Sequence, residues 1–299
     1  MNLPPFRTKE QYDLMKSCES PAYSLSNILS KKEVKYLYDW YTENKHREFR
    51  AGQSPKDGKK KYRDNYNGKL KGNIRFPYAW EELKHILQPK VEEILGTNKF
   101  KFVSGRLYRV PKEHVWDSVH NDVCNNLAKL GKELKHIYSK EQIKKIEKEG
   151  APENNGHKCI NWAKQYPKYI VIPWKTIVFP LWLNGLANTV SFNQYNYGVE
   201  SVSWNKHLHR TIFPGSIAKY TEYMTDKMSI TDEEYNKWLK HLTFPKSYLY
   251  GLSIQNVHEW KIGSVYVWDS AQLHVSGYQS DAEKIGLTIW TAHSENSFS

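Results

Sequence analysis

His120 and Asp122 stand two residues apart at the end of the run SGRLYRVPKEHVWDSVHND, Ser104 to Asp122. Alternate side chains of an extended chain share a face, so an imidazole and a carboxylate at this spacing can reach one metal ion. His274 lies far downstream, within GSVYVWDSAQLHVSGYQSDAEKIGLTIW, Gly263 to Trp290. Set beside the first pair, it would complete two imidazoles and one carboxylate on one side of an ion and leave the other positions open. Ten residues after His274 comes Lys284, at the head of the apolar run Ile285 to Trp290. Strand parity places Lys284, Gly286, Thr288 and Trp290 on one face and Ile285, Leu287 and Ile289 on the other. The aliphatic face suits packing on a core. The opposite face combines an ammonium group, a glycine that leaves room and a hydroxyl, which suits the lining of a pocket that accepts an anion.

In order and in local context, His120, Asp122, His274 and Lys284 resemble the HxD…H…(Arg/Lys) signature of the iron(II)- and 2-oxoglutarate-dependent oxygenases. GSVYVWDSAQLHVSGY is similar to that family's strand leading into the distal histidine, and the resemblance spans residues 100–292. It implies a mainly β fold with flanking helices, a double-stranded β-helix of the jelly-roll, cupin-like kind. It also implies Fe(II) held by His120, Asp122 and His274, and 2-oxoglutarate with its far carboxylate on Lys284 and Thr288. The Tyr108 phenol would lie near that cosubstrate, with packing in the core as the other reading of this tyrosine. Dioxygen would be consumed, succinate and carbon dioxide released, and a C–H bond of the substrate hydroxylated. Asp122 speaks against halogenation, because halogenating relatives lack this carboxylate.

Lysine at position 284 departs from the commoner arginine, which grips a carboxylate with two parallel hydrogen bonds. The collagen-type prolyl hydroxylases are similar in using lysine here, which suggests a prolyl-hydroxylase-like branch. The nucleic-acid-demethylating branch carries a paired arginine instead; six residues after Lys284 this chain has Trp290. No motif therefore indicates a nucleic-acid partner, although the basic charge leaves one open.

Two other classes fit the same residues. A cupin-type zinc hydrolase or a manganese or iron isomerase could use the His/Asp/His set, with Lys284 serving another anion. A non-catalytic jelly roll that binds polyanions or sugars would suit the 11 Trp and 21 Tyr residues. The rival pair His207 and His209, with His258 and Glu259 further on, lacks a carboxylate at metal-binding spacing.

The elements that must position these groups can be read from capping and periodicity. Ser30 with Glu33 forms a capping box for a helix to about Asn44, its apolar stripe running through Val34, Leu37, Tyr38 and Tyr41. A second helix is expected from Tyr78 to about Leu95, with Gly96 as its stop and Pro89 as a kink. Together they form a helical buttress within residues 1–99 that covers one face of a β core at 100–292. Phe100 to Val110 alternates as a strand, and Pro111 to Trp116 connects it to a strand bearing His120. Three short strands follow, Ile170 to Pro173, Thr176 to Leu183 and Asn188 to Tyr195. Ser264–Trp268 and Ile285–Trp290 read as a hairpin joined by a loop that carries His274 and Asp281. The insertions at 125–165 and 201–260 would shape the substrate mouth. The first contains a helix-prone stretch, Asn125 to Lys148, placed where a lid could be, and the second a helix from Thr231 to Leu242 capped through Glu234.

The chain of 299 residues is long enough for one large domain, and the wide separation of His120 from His274 favours one. Its formal charge is +12, and residues 45–75 carry eleven Lys or Arg against Glu48, Asp57 and Asp64. That stretch reads as a long basic loop, either solvated or attracting an anionic substrate or partner. Cys18, Cys124 and Cys159 form no CxxC pair, the amino-terminal residues contain no signal-like apolar run, and no span could cross a membrane. A cytoplasmic protein is expected.

Overall fold

The computed structural model describes residues 9–45, 74–75, 78–111, 119–122, 172–195, 197, 204–205, 210–211, 228–242 and 246–294. Most of the basic loop, the connector after Pro111, the candidate lid at 125–148, Ile170 and the His207/His209 pair lie outside these residues.

Two long strands organise the sheet, β4 (Pro173–Tyr195) and β9 (Gln272–His293), of 23 and 22 residues. Strands of globular proteins run to about 5–6 residues, so strands of this length bend and serve two layers. The first half of β4 lies between β8 (Val265–Asp269) and the second half of β9. Its second half lies between β7 (Ile254–Glu259) and the first half of β9. Register breaks between Asn184 and Leu186 and between Ala187 and Thr189 mark the crossing from layer to layer. Gly185 adopts a φ of 106° there, a backbone state that strains any residue with a Cβ.

β3 (Phe100–Val110) extends the first layer beyond β9, with β2 (Ile74–Arg75) on its far side and β1 (Tyr23–Leu25) on the outer edge of β8. The two layers face each other. The His258 ring on β7 has its centre 5.4 Å from that of Tyr266 and 6.3 Å from that of Trp268, both on β8. The result is an antiparallel double-stranded β-helix, as the signature implied. β5 (Trp204–Asn205) and β6 (Arg210–Thr211) pair with each other.

Two expectations change. The second and third short strands are one: the joints at Pro180 and Asn184–Asn188 are bulges inside β4, where register slips without the strand ending, while residues 170–171 of the first lie outside the described residues. Proline and glycine mark bulges as readily as strand ends. The expected hairpin does not form either, because β4 lies between β8 and the second half of β9. His274 sits on a strand rather than in a loop. Gln272, His274 and Ser276 alternate with Leu273 and Val275, and the two aliphatics pack in a core on the outer face of the second layer. Here the polar side of the strand faces inward, so polar residues that line a cavity look like turn residues in sequence.

The first layer is covered by α2 (Lys31–Asn44) and α3 (Tyr78–Leu95), with α1 (Lys9–Ser17) preceding β1. The capping box forms as expected: the Ser30 hydroxyl accepts from the Glu33 amide at 3.2 Å, and the Ser30 amide donates to the Glu33 carboxylate at 2.7 Å. Leu37, Leu83, Leu87 and Val91 are fully buried against Ile177, Phe179, Leu287 and Ile289. Each such side chain stabilises the fold by about 1.5–3 kcal/mol. The Trp40 indole donates to Glu82 at 3.0 Å and ties the two helices together. α3 runs on through Pro89, which lies on the exposed side, where water can satisfy the carbonyl that loses its partner.

Parity along β9 holds as read. Ile285, Leu287 and Ile289 face the helices, while Lys284, Thr288 and Trp290 face the interior cavity. The Thr231–Glu234 capping box also forms, and the α-helix Asp232–Glu234 widens into π-helical turns at Tyr235–Leu239. This part of the insertion packs through Leu239 and Leu242 on the outer face of the second layer.

Candidate metal centre

His120 belongs to no extended strand; one antiparallel bridge joins it to His274. The His120 amide donates to the His274 carbonyl at 3.0 Å, and the His274 amide returns the bond at 2.9 Å. Two residues on, the Asp122 amide donates to the Ser270 carbonyl at 2.7 Å. The backbone thus brings all three side chains to one place. One ligand atom from each of His120, Asp122 and His274 lies within 4.8 Å of the others, and no other group of three or more such residues occurs among the described residues.

Each side chain is oriented by neighbours. His274 Nδ1 lies 3.1 Å from the Gln272 carbonyl; donation there puts the ring proton on Nδ1 and leaves the Nε2 lone pair facing the centre. His274 Nε2 is 3.5 Å from Asp122 Oδ2. That oxygen accepts from the Thr176 hydroxyl at 2.9 Å and the Trp268 indole at 3.2 Å. Burial pushes the Asp122 carboxyl up, but His274 and His120 beside it and the two hydrogen bonds outweigh burial and hold it below the usual carboxylate range.

The centre opens into a cavity of about 530 Å³, counted out to its mouth, whose walls include Tyr108, Trp260, Lys284, Thr288 and Trp290. Lys284 is 3% exposed, with its ammonium 4.6 Å from the centre of the Trp260 ring. No carboxylate among the described residues pairs with it, and burial pulls its pKa down to about 8. His241 lies within its electrostatic reach: burial lowers that imidazole most, a hydrogen bond to the Ser276 carbonyl raises it, and Lys284 lowers it further.

The space left by Gly286 is taken by an aromatic ring. A Cβ at this position would stand 2.7 and 2.8 Å from the Trp260 ring and 3.2 Å from the Tyr108 hydroxyl. Tyr108 is buried, its hydroxyl 3.5 Å from that of Thr288, so it is both a packed residue and a wall of the cavity.

His258 does not join the centre. Its Nδ1 lies 2.7 Å from the Ser24 hydroxyl and its Nε2 3.2 Å from the Ser191 hydroxyl, a clasp between β1 and the second layer. Burial first, and His274 second, pull its pKa down to about 4, so it is neutral at neutral pH.

Thr176, Trp268, Trp260, the Gln272 carbonyl and Arg106 escape a reading of the sequence. Inward parity was available for Trp268 and Arg106, but their partners are set by cross-strand register. Thr176, for example, stands opposite both Trp268 on β8 and Trp290 on β9.

No protein-family model and no curated protein sequence matches this chain. Among solved structures, EctD from S. alaskensis with bound Fe is 12% identical over 100% of this chain and 81% of its own, with a TM-score of 0.45. The carbocyclase SnoK from nogalamycin biosynthesis, described as non-heme and alpha-ketoglutarate-dependent, is 13% identical over 98% of this chain and 87% of its own, with a TM-score of 0.42. The epimerase SnoN, in complex with Fe3+, alpha ketoglutarate and nogalamycin RO, is 10% identical over 94% of this chain and 84% of its own, with a TM-score of 0.42. These likenesses concern the course of the chain; the chemistry of the site is carried by His120, Asp122, His274 and Lys284 themselves.

Proposed function

We propose that the chain is an iron(II)- and 2-oxoglutarate-dependent oxygenase that hydroxylates a C–H bond of its substrate. One observation carries this reading: two imidazoles and an ionised carboxylate converge in a cavity that also holds a buried ammonium group with no carboxylate partner among the described residues. Two histidines and one carboxylate on one side of an ion suit ferrous iron with positions open for small ligands. A lysine withdrawn from water suits an anionic cosubstrate.

His120, Asp122 and His274 would hold the metal, and Lys284 with Thr288 would seat the far carboxylate of 2-oxoglutarate. Bound iron and cosubstrate supply the oxidising power, as 2-oxoglutarate is decarboxylated to succinate and carbon dioxide at the expense of dioxygen. The chain's own residues position and shield. Thr176 and Trp268 fix the Asp122 carboxylate, which His274 and His120 and these two hydrogen bonds keep ionised, and the Gln272 carbonyl fixes the His274 ring. Trp260, Trp268 and Trp290 wall the cavity with apolar surface, which strengthens the attraction between Lys284 and an anion.

Anaerobic addition of Fe(II) and 2-oxoglutarate to the purified protein tests the reading. A weak visible charge-transfer band is expected in the wild type and not in Asp122→Ala. Tightly retained zinc with no such band would favour a hydrolase.

A further inference from the structure

Lys284 is not the only cation facing the cavity. Arg106 lies on β3 opposite Thr288, four residues along β9 from the position of Lys284. Its guanidinium carbon is 4.9 Å from the centre of the Tyr108 ring and 5.6 Å from that of Trp290. Stacking on two aromatic faces holds the planar group and leaves its edge, where the N–H donors point, for a ligand. Among the described residues, buried Arg106 Nε has no hydrogen-bond partner and no carboxylate pairs with the group. A buried donor left without an acceptor is costly, and a planar fork of donors matches a carboxylate or a phosphate.

Charge counting separates this cation from the cosubstrate. Among the described residues the cavity presents Arg106 and Lys284 against the single carboxylate Asp122. A doubly charged metal ion and the doubly charged 2-oxoglutarate cancel each other, and Asp122 offsets one of the two cations. One positive charge is left in a site walled by aromatic rings. A substrate with one acidic group removes it.

We infer that Arg106 is the docking point for an oxyanion, a carboxylate or a phosphate, on the molecule that is oxidised, and that this seat is distinct from the one at Lys284. The inference rests on the proposed oxygenase reading for the identity of the other ligands. It narrows the substrate to acidic small molecules, or to an acidic group on a larger one, held with the reacting carbon near the His120–Asp122–His274 centre.

The test uses methylphosphonate as a probe of the oxyanion seat, followed by phosphorus NMR on the metal-free protein and again with Mn(II) and saturating 2-oxoglutarate. Calorimetry measures 2-oxoglutarate binding to the Mn(II) form in parallel. Arg106→Gln should weaken methylphosphonate binding by at least about tenfold and leave 2-oxoglutarate affinity within about threefold. Arg106→Lys, which keeps the charge, should retain part of the probe binding and guards against a misfolded glutamine variant. Lys284→Met should show the opposite pattern. No methylphosphonate binding to the wild type would overturn the inference. So would an Arg106→Gln variant that loses 2-oxoglutarate and keeps the probe, since the arginine would then serve the cosubstrate. If the wild type binds neither Mn(II) nor 2-oxoglutarate, the oxygenase reading fails by itself, and the metal-free titration still decides the role of Arg106.

Discussion

His120 and His274 are direct backbone partners, each amide donating to the other's carbonyl, at 3.0 and 2.9 Å. Their ring centres lie 4.3 Å apart as a consequence of strand pairing rather than of loop placement. A site fixed in this way is formed before any ion arrives, and the cost of ordering its ligands is met during folding.

Removing a ligand should therefore abolish metal binding without unfolding the protein. His274→Ala is expected to lose Fe(II) and Mn(II) in equilibrium dialysis while its circular dichroism is unchanged. Thr176→Val removes the hydroxyl that donates to Asp122 and also lies 3.2 Å from the Ser270 hydroxyl, and a loss of about 10–100-fold in metal affinity is expected. Unchanged affinity in the valine variant would show that Thr176 does not support the carboxylate.

Lys284 makes a prediction about pH with a definite sign. Its pKa falls from 10.5 to about 8 on burial. Between those values the unfolded chain binds the proton and the folded one does not, so the destabilisation is absent above the unfolded value and complete below the folded one. Its full size is on the order of 3 kcal/mol. Without cosubstrate, Lys284→Met should melt at a higher temperature than wild type at neutral pH, with the gap closing as pH rises from about 8 towards 10.5. On the proposed reading 2-oxoglutarate is seated on the ammonium form, so its affinity should fall in the wild type as pH rises through about 8. A pH-independent affinity across this range would separate Lys284 from the cosubstrate.

Gly286→Ala should be destabilising because its new methyl group meets the Trp260 ring. Overpacking of this kind costs about 1–3 kcal/mol. Trp260→Phe shortens the ring and should recover part of the loss, so thermal melts of the two single variants and the double variant form a cycle that reads the clash directly. Additive losses would mean that the ring and the glycine do not press on each other.

The amino-terminal arm is held by a buried ion pair between Lys175 and Asp269. The lysine also donates to the Ser20 hydroxyl at 2.6 Å, and Asp269 accepts from the Ser20 amide at 2.7 Å. Lys175→Met should cost about 3–5 kcal/mol, because it leaves a buried carboxylate without its cation, and joint replacement with Asp269→Leu should cost less. Denaturant melts of the three variants check the order. A double variant worse than either single one would contradict it.

The sequence was most informative where local chemistry and long-range structure agreed. The Ser30 and Thr231 capping boxes are contacts between near neighbours, and both form. Alternation around Lys284 separated the helix-facing from the cavity-facing side of β9 because one side is aliphatic. The same rule hid the strand that carries His274, where the inward residues are Gln272, His274 and Ser276 and the pattern resembles a turn. Pairing was illegible for a related reason: nothing local says that β4 lies between β8 and the second half of β9. Arg106 looked like an ordinary polar position of an alternating strand. A bulge between Phe102 and Ser104 shifts the register of β3, so that Phe102 stacks on Trp80 with the rings 4.1 Å apart.

Anomalous diffraction at the iron edge, from crystals grown anaerobically with Fe(II) and 2-oxoglutarate, tests the convergence of the three ligands most directly. One strong peak is expected, bonded to His120, Asp122 and His274, with the far carboxylate of the cosubstrate on Lys284. A peak elsewhere, or none with the three side chains still together, would contradict an iron site at this centre.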